Sequence, residues 1–455
     1  MPHRKFDITK LERLNDPARF DSIRPDVLWH HADPGIPTVI VEIGAGTGLF
    51  AAKFAELAST TTVFATDTEP VMIDWMRANR AEVADGRVVP LLSQESVVPL
   101  PDAIADLVAM VNLHHELTDP EALLAEASRL LRPGGRLLVV DWAARETPKG
   151  PPHALRVTAT TLAAQLLGAG FEDVAVDEDI LAWHTVASAT RPGTPARIVD
   201  AGGAPLAVVR AGADSPVVSF ALHAGHLMRP SLDGVVGVGD AQRTREEDPF
   251  TALFSPPGAS LIEVVRSRFE VDLNRPRFRA VYQGPEDAWG LEVWKSELPD
   301  EDDRISREVY DAFYALAGEQ LEGVEASHGR FIVLDLHSYN HRRDGACEES
   351  ADPATNPEIN VGTRHVDREL WAPVVDAFIG VLVEHGFDAR ENVKFGGGHL
   401  AHWVAESFPQ AGCPLAIEFK KVFMDEWTGV PDIAHIARVR AALAAASEAA
   451  VRASQ

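Results

Sequence analysis

Cysteine is nearly absent: 455 residues contain two, Cys347 and Cys413. Two thiols cannot build a multi-bridge framework, and these lack the paired spacing of a structural zinc site, so a reducing compartment fits best. Cys347 reads as a surface-loop thiol and Cys413 as a small buried apolar residue. Positive charge is also short. Lysine plus arginine number 42 against 68 aspartate plus glutamate, a formal net charge of −26, which disfavours phosphate backbones and anionic membrane surfaces. No apolar run reaches spanning length, and the opening Met1-Pro2-His3-Arg4-Lys5-Phe6-Asp7 has no apolar signal-peptide core. There is no internal repeat and no low-complexity tract. The expectation is a soluble cytoplasmic protein without nucleic-acid or membrane partners; homo-oligomerisation stays open. What is present, 46% hydrophobic and 24% charged residues, is ordinary globular usage, and the length allows two or three domains.

The first part alternates β-rich runs (38–42, 62–67, 105–111, 136–141) with amphipathic stretches (49–57, 70–81, 120–131), the rhythm of a parallel sheet covered by helices. Arg132-Pro133-Gly134-Gly135 stops the last of these stretches, and after Gly170 the runs 174–177 and 183–189 predict a terminal hairpin. Arg191-Pro192-Gly193-Thr194-Pro195 then punctuates the chain, placing a boundary between domains at 1–193 and 197–455. Beyond it, strand patterns (from 197 through 217–223, 261–265, 330–336, 415–419) and helical patterns (306–319, 370–385) again read as α/β, with an outer alanine-rich helix over 433–450.

Glu42-Ile43-Gly44-Ala45-Gly46-Thr47-Gly48 follows the first strand and opens a helix, where glycines let backbone amides approach an adenosyl ligand. Asp67 ends the next strand, placed to accept hydrogen bonds from both ribose hydroxyls and to repel a 2′-phosphate. Alone, these features fit a nicotinamide dinucleotide or S-adenosylmethionine. The surrounding motifs decide: with 41–48, Val108 to His115 (VAMVNLHH) and Leu130 to Val140 (LLRPGGRLLVV), the domain resembles class I S-adenosylmethionine-dependent methyltransferases. The resemblance implies a Rossmann-like fold, cofactor contacts from Glu42, Gly44, Gly46 and Gly48, Asp67 on the ribose, and Gln94 or Glu95 near the adenine, although the family often has aspartate where Gln94 stands. Asn112, His114 and His115, at a strand's carboxyl end, would face the methyl acceptor; the plainer alternative is that such adjacent histidines are solvated or bond backbone.

In the second domain Leu222-His223-Ala224-Gly225-His226 ends one strand, and His337, in Leu334-Asp335-Leu336-His337-Ser338, ends another. Their convergence at one sheet edge suggests a metal. Glu247 would add a carboxylate, and two histidines with one carboxylate leave a coordination position for water on catalytic zinc. Residues 219–418 resemble the N-formylglutamate amidohydrolase family, itself similar to zinc carboxypeptidases and aspartoacylase. Four motifs carry this: His223-Ala224-Gly225; Ser267 to Arg275 (SRFEVDLNR); Asp335 to Ser338; and Asn360-Val361-Gly362-Thr363 with Asn392 to Gly398 (NVKFGGG).

The resemblance implies zinc on His223, Glu247 and His337, with Asp248 the competing ligand because the family commonly has aspartate there. It also implies Asn274 and Arg275 on the substrate carboxylate, Arg268 on the oxyanion, Glu418 as general base and Asn392 in a substrate-lining loop. A salt bridge to Asp272 or another acid is the alternative for both arginines. His226 is a secondary ligand candidate, and Asp335 would orient His337 or a neighbouring backbone amide. The expected protein is therefore a bifunctional methyltransferase and zinc-dependent amidohydrolase acting on small amino-acid or peptide substrates. The alternatives are a carboxypeptidase-type peptidase with a methyltransferase tailoring domain, or a binding or scaffold protein with one inactive pocket.

Overall fold

The computed structural model describes residues 11–58, 61–212 and 214–455; the opening segment Met1 to Asp7 lies outside them. The chain divides into two compact units, Met1–Pro195 and Ala196–Gln455. Both are α/β, as the sequence rhythm requires.

Seven strands form the first sheet: β1 (Val39–Ile43), β2 (Thr62–Asp67), β3 (Val88–Leu92), β4 (Ala105–Val111), β5 (Leu131–Trp142), β6 (Glu172–Asp177) and β7 (His184–Thr190), in the order β3-β2-β1-β4-β5-β7-β6. The first five pair in parallel, and β7 runs antiparallel to both β5 and β6. Helices cover both faces, so β1 is buried along its whole length, and its sequence VIVEI is almost continuously apolar. β3 was not evident from the sequence because Pro90 interrupts its run; it is an edge strand, where a missing N–H costs no ladder bond. The Arg132-Pro133-Gly134-Gly135 stop is accommodated inside β5. Ala105 pairs with Leu131 and Leu107 with Arg136, so the intervening residues loop out around Gly134 at φ +74°. The helix Pro120–Leu130 begins cleanly because Asp119 accepts from the Ala122 N–H at 3.0 Å and Pro120 occupies the first turn.

The second sheet has eight strands: β8 (Arg197–Ala201), β9 (Ala204–Arg210), β10 (Val217–Ala221), β11 (Ser260–Val264), β12 (Phe331–Tyr339), β13 (Ile359–Gly362), β14 (Ala389–Glu391) and β15 (Gly412–Lys420). Their order is β14-β13-β15-β12-β10-β11-β9-β8. The parallel centre, β11-β10-β12-β15, carries the chemistry, and β12 is buried at all nine positions. One face packs on the helix Asp300–His328 through Phe220, Phe313 and Phe331; truncating Phe313 to alanine would cost about 3–5 kcal/mol. That helix opens with four acids, Asp300 to Asp303, which suit its positive end, and stops at Gly329, φ +75°. The alanine-rich Ile433–Ser454 is only half an outer helix: Ile436, Val439 and Leu443 are buried, and it packs on Arg368–Glu384. Cys413 is buried and Cys347 exposed. Among the described residues no helix is long and apolar enough to cross a membrane.

Candidate functional site

At the carboxyl edge of the second sheet, His223 stands two residues past β10 and His337 lies within β12. Asp248 is brought to them by a loop whose own N–H donates to the His223 carbonyl at 2.8 Å. One ligand atom from each of the three lies within 4.8 Å of the others, and all three residues are buried. Both rings are held the same way. The Nε2 of His223 is 2.8 Å from Asp272 Oδ1, and the Nε2 of His337 is 2.7 Å from Asp335 Oδ1. Donation to these carboxylates leaves each Nδ1 facing Asp248 Oδ2, at 3.4 Å from His223 and 3.2 Å from His337. The His223 Nδ1 is buried and has no hydrogen-bond partner. Two oriented imidazoles, a carboxylate and an orphaned ring nitrogen fit a divalent cation, and the outer aspartates are the usual support for such ligands.

The electrostatics agree. Burial opposes ionisation of Asp248, but the adjoining imidazoles of His223 and His337 outweigh it and hold its carboxyl well below the usual range. Burial likewise opposes a charged His337, yet Asp335 and Asp248 raise its pKa well above the ordinary value. Glu418 on β15 lies directly across from His337 in the strand register, and burial pushes its carboxyl up to about 7. His337 is the largest opposing influence on it.

Glu247 does not join the cluster, a correction to the expected ligand set. Its backbone is extended, φ −76° and ψ 173°, so its side chain and that of Asp248 point to opposite sides. Glu247 Oε2 binds His226 Nδ1 at 2.6 Å, and Oε1 accepts from the Ser267 hydroxyl. His226 is thereby held away from the cluster as well, its Nε2 meeting Arg243 at 2.8 Å.

An open cleft of about 620 Å³ adjoins the cluster, lined among others by Arg268, Asn274, Arg275 and Glu418. Arg268 donates to Asp272 Oδ2 at 2.9 Å and lies over the Trp289 ring at 4.7 Å. Arg275 sits 3.3 Å from Asp272 Oδ2, donates to the Asp287 carbonyl at 2.6 Å and stacks on Tyr282. The salt-bridge alternative therefore describes both arginines, which line the cleft all the same. Asn274 Nδ2 lies 3.0 Å from His337 Nε2, and its Oδ1 accepts from the Leu400 N–H. A Cβ on Gly398 would fall 2.3 Å from the Asn274 amide, which is why that turn is glycine. Asn392 is exposed and does not line the cleft: its amide bonds the Thr363 N–H and hydroxyl, bracing a turn.

Residues the sequence reading passed over include Lys421, Arg343 and Ser338. Lys421 is buried, donates to the carbonyls of Arg245 and Glu247, and is pushed by burial down to about 8. Arg343 lies at the cleft, half exposed, 3.3 Å from Glu246. Ser338 donates to Asp248 Oδ1 at 2.8 Å. Only Ser338 had a signal, its place beside His337 in a quoted motif.

In the first unit, Gly44, Gly46 and Gly48 have φ of +72°, +55° and +68°, a turn closed to most side chains. At Gly48 a Cβ would also meet Met76 Sδ at 2.7 Å. Asp67 Oδ2 accepts from the Gly46 N–H at 2.8 Å, tying the end of β2 to this turn. Glu42 is buried with Oε2 unpartnered, and burial pushes it up to about 8 against the pull of Arg19. Gln94 and Glu95, both exposed, follow β3 at the same sheet edge. His114 Nε2 meets Gln165 at 2.9 Å, and His115 Nδ1 meets Asp141 at 2.7 Å. Asn112, at φ +58°, has its Oδ1 buried and unpartnered. The glycine turn and the orphaned Glu42 oxygen suit an adenosyl amino acid offering amine and hydroxyl donors.

A family model described as methyltransferase domain matches residues 41–139, and one described as N-formylglutamate amidohydrolase matches residues 215–423. The chain joins a methyltransferase domain to an N-formylglutamate amidohydrolase domain. For the methyltransferase domain, the malonyl-acyl-carrier protein O-methyltransferase of Hahella chejuensis is 36% identical over 104 residues, 23% of this chain and 36% of the relative. The chain spans between about a third and a half of the length of the first curated relatives it matches. A SAM-dependent methyltransferase structure from Aquifex aeolicus superposes on 41% of this chain and 100% of its own, at 26% identity and a TM-score of 0.38. The structure of N-formylglutamate amidohydrolase from Ralstonia eutropha JMP134 superposes on 54% of this chain and 99% of its own, at 18% identity and a TM-score of 0.46.

Proposed function

We propose that the chain is a bifunctional cytoplasmic enzyme. Residues 1–193 transfer a methyl group from S-adenosylmethionine to a small molecule or amino-acid derivative. Residues 197–455 hydrolyse an N-acyl or N-formyl amide beside a substrate carboxylate, with zinc held by His223, Asp248 and His337. The observation that carries the second half is the convergence of those three side chains, each imidazole fixed by an aspartate on its far nitrogen.

Zinc bound there supplies a Lewis acid that acidifies water and polarises the amide carbonyl. Glu418, buried and poised near neutrality, takes the proton of the attacking water and passes it to the departing amine. Arg268, anchored by Asp272, stabilises the oxyanion. Asn274 and Arg275 hold the substrate carboxylate, and Arg343 adds positive charge to the same cleft. In the methyltransferase domain the donor supplies an electrophilic methyl group. Gly44, Gly46 and Gly48 admit it to the backbone beside Glu42, Asp67 bonds its ribose, and Gln94 or Glu95 contacts its adenine. Asn112, His114 and His115 face the acceptor.

Full-length protein tests both halves. Near-stoichiometric zinc together with turnover of N-formyl-L-glutamate or a related N-acyl amino acid is expected, and zinc without turnover of any such amide sinks the hydrolase reading. Calorimetry is expected to show binding of S-adenosylhomocysteine and none of NAD; the reverse result makes the first cofactor a dinucleotide.

A further inference from the structure

The methyltransferase domain holds a pair of side chains that the donor cradle does not use. His115 lies in the short turn His114–Glu116 after β4, and Asp141 is the penultimate residue of β5. β4 and β5 are parallel neighbours, so both residues arrive at the carboxyl edge of the sheet. Asp141 Oδ2 accepts from the His115 backbone N–H at 2.6 Å, and Oδ1 accepts from Nδ1 at 2.7 Å. The two side chains are 8% and 5% exposed. Donation from Nδ1 fixes the tautomer whose Nε2 carries the lone pair. The donor cradle is at the same edge: β4 also neighbours β1, and a Cβ on Gly44 would lie 2.9 Å from the side chain of Leu113, two residues before His115. Beside the pair, Asn112 Oδ1 and His114 Nδ1 are buried without partners, an independent sign that a hydrogen-bonding ligand belongs there.

We propose that His115, positioned by Asp141, is the general base of methyl transfer, and that the acceptor is an acidic hydroxyl of the phenol or enol kind. This rests on the methyltransferase reading above. The acceptor oxygen forms a bond to the methyl carbon while the carbon–sulfur bond of the donor breaks, its electron pair staying on sulfur. The hydroxyl proton moves to His115 Nε2 and is later lost to water. A carboxylate acceptor needs no base at neutral pH, and a neutral amine attacks through its own lone pair. An aliphatic hydroxyl holds its proton too tightly for imidazole, whereas a phenol of pKa about 10 is within reach of an imidazole of about 6.5. The charged groups facing the ring are Asp141 from β5, Glu116 from its own turn, with Oε1 3.6 Å from Nε2, and Arg156 from the segment after β5. Burial opposes the imidazolium, but the acids outweigh it and raise the His115 pKa, placing the acid limb of the rate above the ordinary histidine value.

The test uses full-length protein, tritiated S-adenosylmethionine, and phenol, 4-chlorophenol and 4-nitrophenol, with benzoate as the carboxylate control. S-adenosylhomocysteine binding is measured first; its absence removes the methyltransferase reading itself. With binding present, His115→Gln is expected to slow methylation of phenol about 100-fold or more, and of 4-nitrophenol, which ionises unaided, about tenfold or less. S-adenosylhomocysteine affinity should stay within about twofold, because the base contributes to the transition state and not to donor binding. Asp141→Asn preserves size, slows phenol and moves the acid limb to lower pH; it carries the test should His115→Gln not fold. No transfer to any phenol with donor bound, transfer to benzoate alone, or equal losses across the phenols in a variant that melts like the parent overturns the proposal.

Discussion

Each domain holds a histidine fixed by an aspartate at the carboxyl edge of a parallel sheet, and the two differ in what faces the other ring nitrogen. The second nitrogen of His223 meets a second imidazole and the Asp248 carboxylate, all buried. That of His115 lies 3.6 Å from Glu116 Oε1. The same brace thus suits the two chemistries proposed above, a metal ligand where imidazoles converge and a general base where the ring stands apart from other imidazoles. His184 shows what happens without a brace. It is buried against Trp142 with both ring nitrogens unpartnered, and burial pushes its pKa down to about 4.

The comparison breaks first at the metal. Asp248→Asn or His337→Ala is expected to abolish both zinc content and amide hydrolysis, while Glu247→Gln keeps the metal. Mass-spectrometric metal analysis separates them, and retention of zinc by Asp248→Asn would restore Glu247 as the ligand. Next in size, Glu418→Gln should retain zinc and lose about 1,000-fold in kcat on N-formyl-L-glutamate, as expected for a missing general base. Steady-state kinetics on metal-loaded protein checks this.

The unbraced histidine gives a smaller effect with a definite sign. The folded-state pKa of His184, about 4, lies below its ordinary 6.5. The ring is neutral in both states above pH 6.5, and as pH falls the unfolded chain takes the proton first. Stability is thus lost between about pH 6.5 and 4, by about 3 kcal/mol in full. Thermal melts of His184→Phe at pH 7.5 and 4.5 should show less acid destabilisation of the methyltransferase domain than the parent shows. Smallest is Gly48→Ala, which places a Cβ at φ +68° and costs about 1–2 kcal/mol. It should weaken S-adenosylhomocysteine binding about tenfold in calorimetry, with N-formyl-L-glutamate turnover untouched; a loss of turnover would couple the two sites.

Motifs that are contiguous in sequence were legible because local spacing governs them. The glycine turn after β1, the Asp67 strand end and the closeness of His223 and His337 to the ends of β10 and β12 follow from period and punctuation. The failures are of another kind. β3 was hidden by Pro90, tolerated only because that strand turns out to be at the edge. Glu247 and Asp248 are adjacent carboxylates, and no local signal says which side of the extended chain faces the histidines. Asn392 looked like a substrate contact because of its company, yet its amide is spent on Thr363.

What the sequence by itself determined is which residue types stand at strand ends and glycine turns, since backbone period and steric freedom are properties of neighbouring residues. Only the tertiary structure decided the partners. Asp272 reaches His223 across 49 residues and Asp141 reaches His115 across 26. Such pairings depend on strand order and loop direction, which bring distant side chains to one edge and exclude the water that would otherwise screen them.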